Sequence, residues 1–195
     1  MQPREQDFFS AFVSISKAIS STLDLQEVLN LILKHAVSSL DLKAGAISLL
    51  DKKKNRLQLI ANFNLSQEYL DKGPVAADKS MPGAITEKRP VVVPDVTADA
   101  RLQYPEACKK EGIGSILSVP ILFKNNVIGV LRLYGAEPRD FTYREVEFIS
   151  ALADQGGIAV ENARYMEKVL KDHKKEMEEL TDWFATMTGT SALDG

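Results

Sequence analysis

The sequence predicts an α+β fold organised around an antiparallel hairpin, and three observations point there. Between Gly112 and Gly135, GIGSILSVPILFKNNVIGVLRLYG holds two apolar runs, Ser115–Phe123 and Val127–Tyr134, parted by Lys124-Asn125-Asn126. Val, Ile, Leu and aromatic residues crowd both runs, which is strand composition, and a short polar break between such runs marks a hairpin. Asn tolerates positive φ, so Asn125-Asn126 is the expected turn. Second, both runs are apolar at nearly every position, so both faces of the hairpin are expected to be covered. Third, stripes at helical spacing stand at both ends of the chain: Phe8, Phe12, Ile15 and Ile19 early, Val146, Ile149, Leu152 and Ala153 late. The hairpin is the expected centre of the sheet, with Ser118 and Arg132 as polar exceptions inside it. A polar side chain in a doubly covered strand needs a partner, a water or a cavity.

The chain has 195 residues, enough for one domain and an appendage. Its net charge of -3 carries no basic face of the kind that binds nucleic acid. A single cysteine, Cys108, rules out an internal disulfide and fits a reducing cytoplasm. The start, MQPREQDFF, lacks the apolar core of a signal peptide, and no window is apolar enough for long enough to span a membrane. A cytoplasmic location without direct membrane contact is expected.

In chain order, residues near 4 to 20 are expected to form an amphipathic helix, ended by Ser20-Ser21-Thr22. Asp24 with Glu27 makes a capping-box-like start to a second helix, whose face carries Leu25, Val28, Leu29, Ile32, Ala36 and Leu40. Ala44–Leu50 reads as a strand, 51–55 as a polar turn and Arg56–Asn62 as the return strand. The lysines of that turn are read as a solvated hairpin tip. Ala46 and Ser48 share one face of their strand, Ile47 and Leu49 the other. Ser66–Lys72 is a short helix closed by Gly73-Pro74; Pro82 opens another, PGAITEK, where its missing N–H is harmless. Val91–Val93 is a short strand. PEACKKE is helical with Gly112 as C-cap. Thr142 with Glu145 is a capping box for a last helix that meets no proline. Gly156-Gly157 weakens it by ~1 kcal/mol per glycine relative to Ala. Beyond, Tyr165, Val169, Met177, Leu180, Phe184 and Met187 form a thin seam among charges. If unbroken from Thr142 to Met187, this helix is ~70 Å long at 1.5 Å per residue and must project.

Taken in order, FxxFxxISKAISSTLDLQEVLNLIL, AISLLD, PGAITEKRPVVVPDV, GIGSILSVPI, NNVIGVLRLYG and DFTYREVEFISALADQGGIAVENARY resemble the GAF domain of signalling proteins, from about Phe8 to Tyr165. The resemblance implies a central antiparallel sheet of about six strands. It puts the first and last helices on one face, with short helices and loops on the other roofing a small-molecule pocket, in the GAF/PAS-like manner. It divides the chain into a sensor domain, residues 1–165 with the N-terminal helix, and a signalling helix and tail, residues 166–195. Such helices lead to a kinase, cyclase or phosphodiesterase output module, which this chain is not expected to contain.

The ligand classes of the family are tested against the residues. Bilin-binding relatives attach the chromophore to a Cys followed by His; here Lys109 follows Cys108, and His35 and His173 stand in other helices. Cys108 is therefore read as an incidental small residue. Relatives that reduce free methionine sulfoxide use several cysteines, because a resolving thiol must close the disulfide. Cyclic-nucleotide-binding members carry Asn-Lys, a later Phe and an acidic pair; here Asn126-Val127, Phe141 and Glu145-Val146 stand in those places. Asp95 and Asp99 are read as turn-capping carboxylates. Tyr69 and Tyr104 lie in the roofing segments, where they could close on a ligand or pack against Met81.

The expected function is a non-catalytic, small-molecule sensory domain that passes its ligand state through paired C-terminal helices in a homodimer. The alternative is a dimerisation and signal-relay module with a vestigial pocket. Ser48, Ser118 and Arg132 are the candidate ligand residues by strand parity; Met81, Pro82 and Tyr104 join them from the family's roof positions. No bilin, haem or metal is expected, no cofactor is required, and the ligand is an unidentified small molecule.

Overall fold

The computed structural model describes residues 5–22, 24–77 and 82–188. Helix α1 spans Glu5–Ser21 and α2 Leu25–Ser39. Strands β1 (Ala44–Asp51) and β2 (Arg56–Phe63) form the first hairpin. The roof follows: α3 (Gln67–Leu70), β3 (Val75–Ala76), α4 (Pro82–Thr86), β4 (Val91–Val93) and α5 (Pro105–Glu111). The second hairpin is β5 (Ser115–Phe123) and β6 (Asn126–Gly135), and α6 runs Tyr143–Thr188. The six strands form one antiparallel sheet in the order β3-β2-β1-β6-β5-β4, so the second hairpin lies inside it and the chain is α+β.

The sheet has two apolar faces, each covered. Leu117, Val119, Leu131, Leu133 and Ile47 pack with Ile15, Leu29, Ile32, Leu33, Ile149 and Leu152 under α1, α2 and α6. Ala44, Ala46, Val91, Val93, Ile116 and Tyr134 pack with Tyr69, Ala84 and Cys108 under the roof. Each large side chain so buried contributes about 1.5–3 kcal/mol, so the helix-covered side dominates stability. In α1 the early stripe divides: Ile15 is buried and Phe8 stacks on Phe148 with centroids 4.0 Å apart, whereas Phe12, expected on the same face, points outward with Phe9.

Local chemistry sets the ends of the elements. Asp24 accepts from the N–H groups of Gln26 and Glu27, at 2.8 and 3.3 Å. Its own N–H goes to the Thr22 hydroxyl rather than to Glu27, so the expected capping box is half made. The box at α6 is complete: Thr142 N–H donates to Glu145 Oε2 at 2.7 Å and Glu145 N–H to Thr142 Oγ1 at 3.3 Å. The hairpin turn sits one residue earlier than expected. Lys124 and Asn125 carry positive φ, 45° and 63°, while Asn126 pairs with Phe123 in the ladder. Two consecutive residues at positive φ form a type I′-like turn, whose twist suits a hairpin.

Helix α6 continues through Gly156-Gly157 without a break. A Cβ on Gly157 would stand 2.3 Å from the Leu122 carbonyl oxygen, whereas one on Gly156 would meet only Ile32 Cδ1 at 3.5 Å. Gly157 is therefore where α6 lies directly on the backbone of β5. Every residue from Glu167 to Phe184 is exposed, so ~27 Å of helix there stands clear of the globular part. Among the described residues no helix is long and apolar enough to cross a membrane.

Candidate functional site

The register of the sheet brings the parity set to one face. Ser118 stands opposite Arg132 across β5 and β6, and Ala46 stands opposite Arg132 across β1 and β6. Ser48, two residues on from Ala46, faces Val130. Alternate residues share a face, so Ser48, Ser118 and Arg132 all point toward the roof with Ala46, Ile116 and Tyr134. The bulges leave this unchanged, because the extra residues, Ile60 in β2 and Ile128 in β6, fall outside the run from Ala44 to Leu49 against β6.

Arg132 and Tyr104 line a cavity of ≈ 20 Å³ with Tyr69, Lys72, Cys108 and Tyr134. By that measure a single water needs about 10–15 Å³, so in this state the cavity is closed around roughly one water. Its polar groups are packed on each other. The rings of Tyr69 and Tyr134 meet edge to face at 5.8 Å, and the Tyr69 hydroxyl lies 3.7 Å from Cys108 Sγ. Burial pushes the Tyr134 hydroxyl and the Cys108 thiol above their ordinary pKa ranges, so neither supplies an anion near neutral pH. Lys72 donates to the Tyr69 carbonyl at 3.0 Å and its ammonium lies 3.7 Å from the centre of the Tyr69 ring. Burial first, and then the positive charge of Arg132, lower its pKa. Two cationic groups thus bring positive potential to one small space. Ser118 is fully buried and its hydroxyl has no hydrogen-bond partner among the described residues.

A clasp closes the outer side. The Tyr104 hydroxyl donates to the Pro74 carbonyl at 2.8 Å. The Gln103 amide donates to the same carbonyl at 3.2 Å and its oxygen accepts from Ala76 N–H at 3.0 Å. Strand β3 and its approach are held by these bonds as well as by pairing to β2. Outside lies an open cleft of ≈ 560 Å³ between α3 and α5, which shares Tyr69, Lys72 and Tyr104 with the inner cavity. At its rim Glu111 accepts from the N–H and the hydroxyl of Ser66. Those three shared side chains are the wall between solvent and Arg132.

Of the residues singled out from the sequence, Arg132 and Tyr104 line the inner cavity and Ser118 stands across the ladder from Arg132. Ser48 is half-buried and outside the lining. Pro82 opens α4, which lies against β5 and β6; Met81 and the side chain of Pro82 lie outside the described residues. Tyr134, Lys72 and Gln103 were missed. Tyr134 was within reach, since it shares parity with Arg132 two residues away. Lys72 and Gln103 sit where the chain has no period to read. Cys108, read as incidental, is part of the cavity wall. Asp95 and Asp99 close local turns, accepting from Thr97 N–H at 2.8 Å and Arg101 N–H at 2.9 Å.

The sequence pattern described as GAF domain matches residues 22–161. The chain is 27% identical over 173 residues to the formate hydrogenlyase transcriptional activator FhlA of Escherichia coli K12, covering 82% of this chain and 24% of that protein. It is 26% identical over 186 residues to the Nif-specific regulatory protein of Herbaspirillum seropedicae, covering 92% of this chain and 34% of that protein. The chain thus spans about a quarter to a third of the length of these relatives. Among solved structures, the GAF domain from a phosphoenolpyruvate-protein phosphotransferase of Coxiella burnetii superposes with a TM-score of 0.73 at 18% identity, covering 84% of this chain and 98% of that one. At that identity the likeness is one of fold.

Proposed function

The chain belongs to the GAF domain family, and from that premise we propose that it is a non-catalytic sensory domain which takes a small molecule on the roofed face beside Arg132 and relays its state through α6. The observation that carries this reading is the cavity between sheet and roof. Arg132 and Lys72 supply positive charge there, and the buried Ser118 hydroxyl, a donor and acceptor, stands across the ladder from Arg132. That set suits a small anionic or carbonyl-bearing ligand. At ≈ 20 Å³ the cavity has to grow, and the part able to move is the clasp of Gln103 and Tyr104 on Pro74. Breaking two or three such bonds costs roughly 0.5–1.5 kcal/mol each, which a ligand held by charge-assisted bonds offsets.

The relay follows from the layers. The roof-facing residues of β5 and β6 alternate with residues that pack on α6, so a shift of Arg132 or Ser118 reaches Leu152 through Leu131 and Leu133. Ligand moves the helix only if it binds the two arrangements with different affinity. In this reading the protein works in the cytoplasm, without nucleic acid or membrane contact of its own, and passes its state to an output module.

The same ≈ 20 Å³ favours a second reading, a dimerisation and relay module whose pocket stays filled by its own side chains. Native mass spectrometry of freshly purified protein, with a denatured extract alongside, separates them. The sensory reading expects a small-molecule adduct, or a thermal shift with a panel of carboxylates and oxyanions, that Arg132→Gln removes. A bare native mass together with no shift across the panel leaves the relay reading.

A further inference from the structure

One segment of the roof is bonded at both ends to the chain that leads into α6. Residues 94–115 supply Leu102, Gln103, Tyr104 and Cys108 to the wall of the inner cavity, and they carry the clasp on Pro74 and helix α5. At the first end the Pro94 carbonyl accepts from Arg139 N–H at 2.9 Å. At the other end Gly114 N–H donates to the Gly135 carbonyl at 2.8 Å, and the buried Ser115 hydroxyl donates to the Glu137 carbonyl at 2.8 Å. The two ends are tied to each other as well, Val96 N–H donating to the Gly114 carbonyl at 2.9 Å. A Cβ on Gly114 would stand 2.4 Å from the Glu137 carbonyl carbon, so backbone lies directly on backbone there. Groups packed this closely have no room to yield. A shift of the roof segment therefore displaces residues 135–139 with it.

Arg139 carries that displacement onward. Its guanidinium donates to the Leu40 carbonyl at the end of α2 at 3.2 Å, pairs with Glu145 and lies 4.8 Å from the centre of the Phe141 ring. Glu145 in turn accepts from the Thr142 N–H and hydroxyl at 2.7 and 2.9 Å, closing the first turn of α6. One residue thus bonds the roof through its N–H and the ends of two helices of the opposite layer through its side chain. We infer that Arg139 is the positioning residue that couples the roof to the start of α6, so that opening the clasp of Gln103 and Tyr104 on Pro74 loosens the N-terminal cap of α6. This coupling rests on the sensory reading above and gives it a route around the edge of the sheet, additional to the one through Leu131 and Leu133. The sheet route crosses a packed core; the loop route is hydrogen bonds and backbone contact from end to end. The closed and the open clasp are the two states involved, and a signal passes only because the cap differs between them.

The test uses the whole chain and no ligand. Hydrogen exchange at neutral pH, followed by NMR, reads the amides of Thr142, Glu145 and Val146, whose N–H groups bond within the cap. Leu131 and Leu133, fully buried in β6, report global opening. Gln103→Ala with Tyr104→Phe removes the clasp. It is expected to speed the three cap amides by at least about fivefold beyond any change at Leu131 and Leu133, the low end of couplings between sites. In an Arg139→Gln background the same pair of substitutions is expected to leave the cap amides where that variant already has them. Arg139→Lys keeps a positive charge beside Glu145 but cannot also hold the Leu40 carbonyl; it is expected to keep the cap slow and lose the response, and it serves if Arg139→Gln does not fold. A response in the parent below that threshold, or one that survives either Arg139 substitution, overturns the coupling. An Arg139 that merely caps α6 gives the first of these results, because the cap amides then ignore the clasp. No small molecule is added, so this failure is distinct from a bare native mass and an absent thermal shift, which count against the sensory reading alone.

Discussion

Alanine at Gly157 and alanine at Gly156 are expected to move stability in opposite directions, although both replace a buried glycine in the middle of the same helix. By helix propensity alone each substitution stabilises by ~0.8–1 kcal/mol. At Gly156 the new methyl meets Ile32 Cδ1 at 3.5 Å, ordinary contact, and the propensity gain stands. At Gly157 it would lie 2.3 Å from the Leu122 carbonyl oxygen, an atom of the sheet backbone that cannot rotate aside. Relieving this means moving α6 off β5 by about 1 Å, and overpacking of that kind costs ~1–3 kcal/mol. The clash is with backbone, so the upper part of that range applies, for a net loss of about 1–2 kcal/mol. The two variants then differ by about 2–3 kcal/mol. At about 2–4 °C per kcal/mol for a chain of this size that is roughly 4–12 °C in Tm. Urea or thermal unfolding by circular dichroism measures it. If Gly157→Ala proves as stable as Gly156→Ala, α6 does not rest on the β5 backbone there, and the glycine pair reverts to the weak point its composition suggests.

The ion pair of half-buried Arg139 with buried Glu145 gives a pH signature. Burial alone would push the Glu145 carboxyl up, but the Thr142 N–H and hydroxyl and the Arg139 guanidinium hold it below its usual 4.5. A depressed carboxylate contributes stability above its unfolded pKa and loses it as pH falls through the folded value. Acid unfolding of the parent should therefore steepen below about pH 4.5, and Glu145→Gln should lose about 1–3 kcal/mol at pH 7 and flatten that limb. Ser118→Ala removes a buried hydroxyl that has no partner among the described residues, so urea unfolding should show it unchanged or up to about 1 kcal/mol more stable. A loss above that range would mean the hydroxyl is bonded. Incubation with methionine sulfoxide and a thiol reductant is expected to give no turnover; reduction that Cys108→Ala abolishes would make the chain an enzyme.

The sequence by itself determined the elements and the faces. Apolar runs with few interruptions placed β5 and β6 inside the sheet, and period-two alternation sorted the residues within each strand between its two faces, so that Ser48, Ser118 and Arg132 were expected on one side, which the register between strands then decided. Caps were legible where the chemistry is local, as in Thr142 with Glu145 and Gly112 after α5, whose φ is +70°. What only the tertiary structure decided depends on residues far apart in the chain. Asp24 looked like half of a box, yet its N–H found Thr22 first. Gly157 looked like a flaw in a helix, because nothing in a helical sequence records that a strand carbonyl from Leu122 comes within reach. The two-residue strand β3 is too short for any period, and it exists because Gln103 and Tyr104, nearly thirty residues later, hold it against β2. Lys72 reached Arg132 for the same reason: loops carry no repeat, so the charges they bring together are fixed by the packing of the elements they connect.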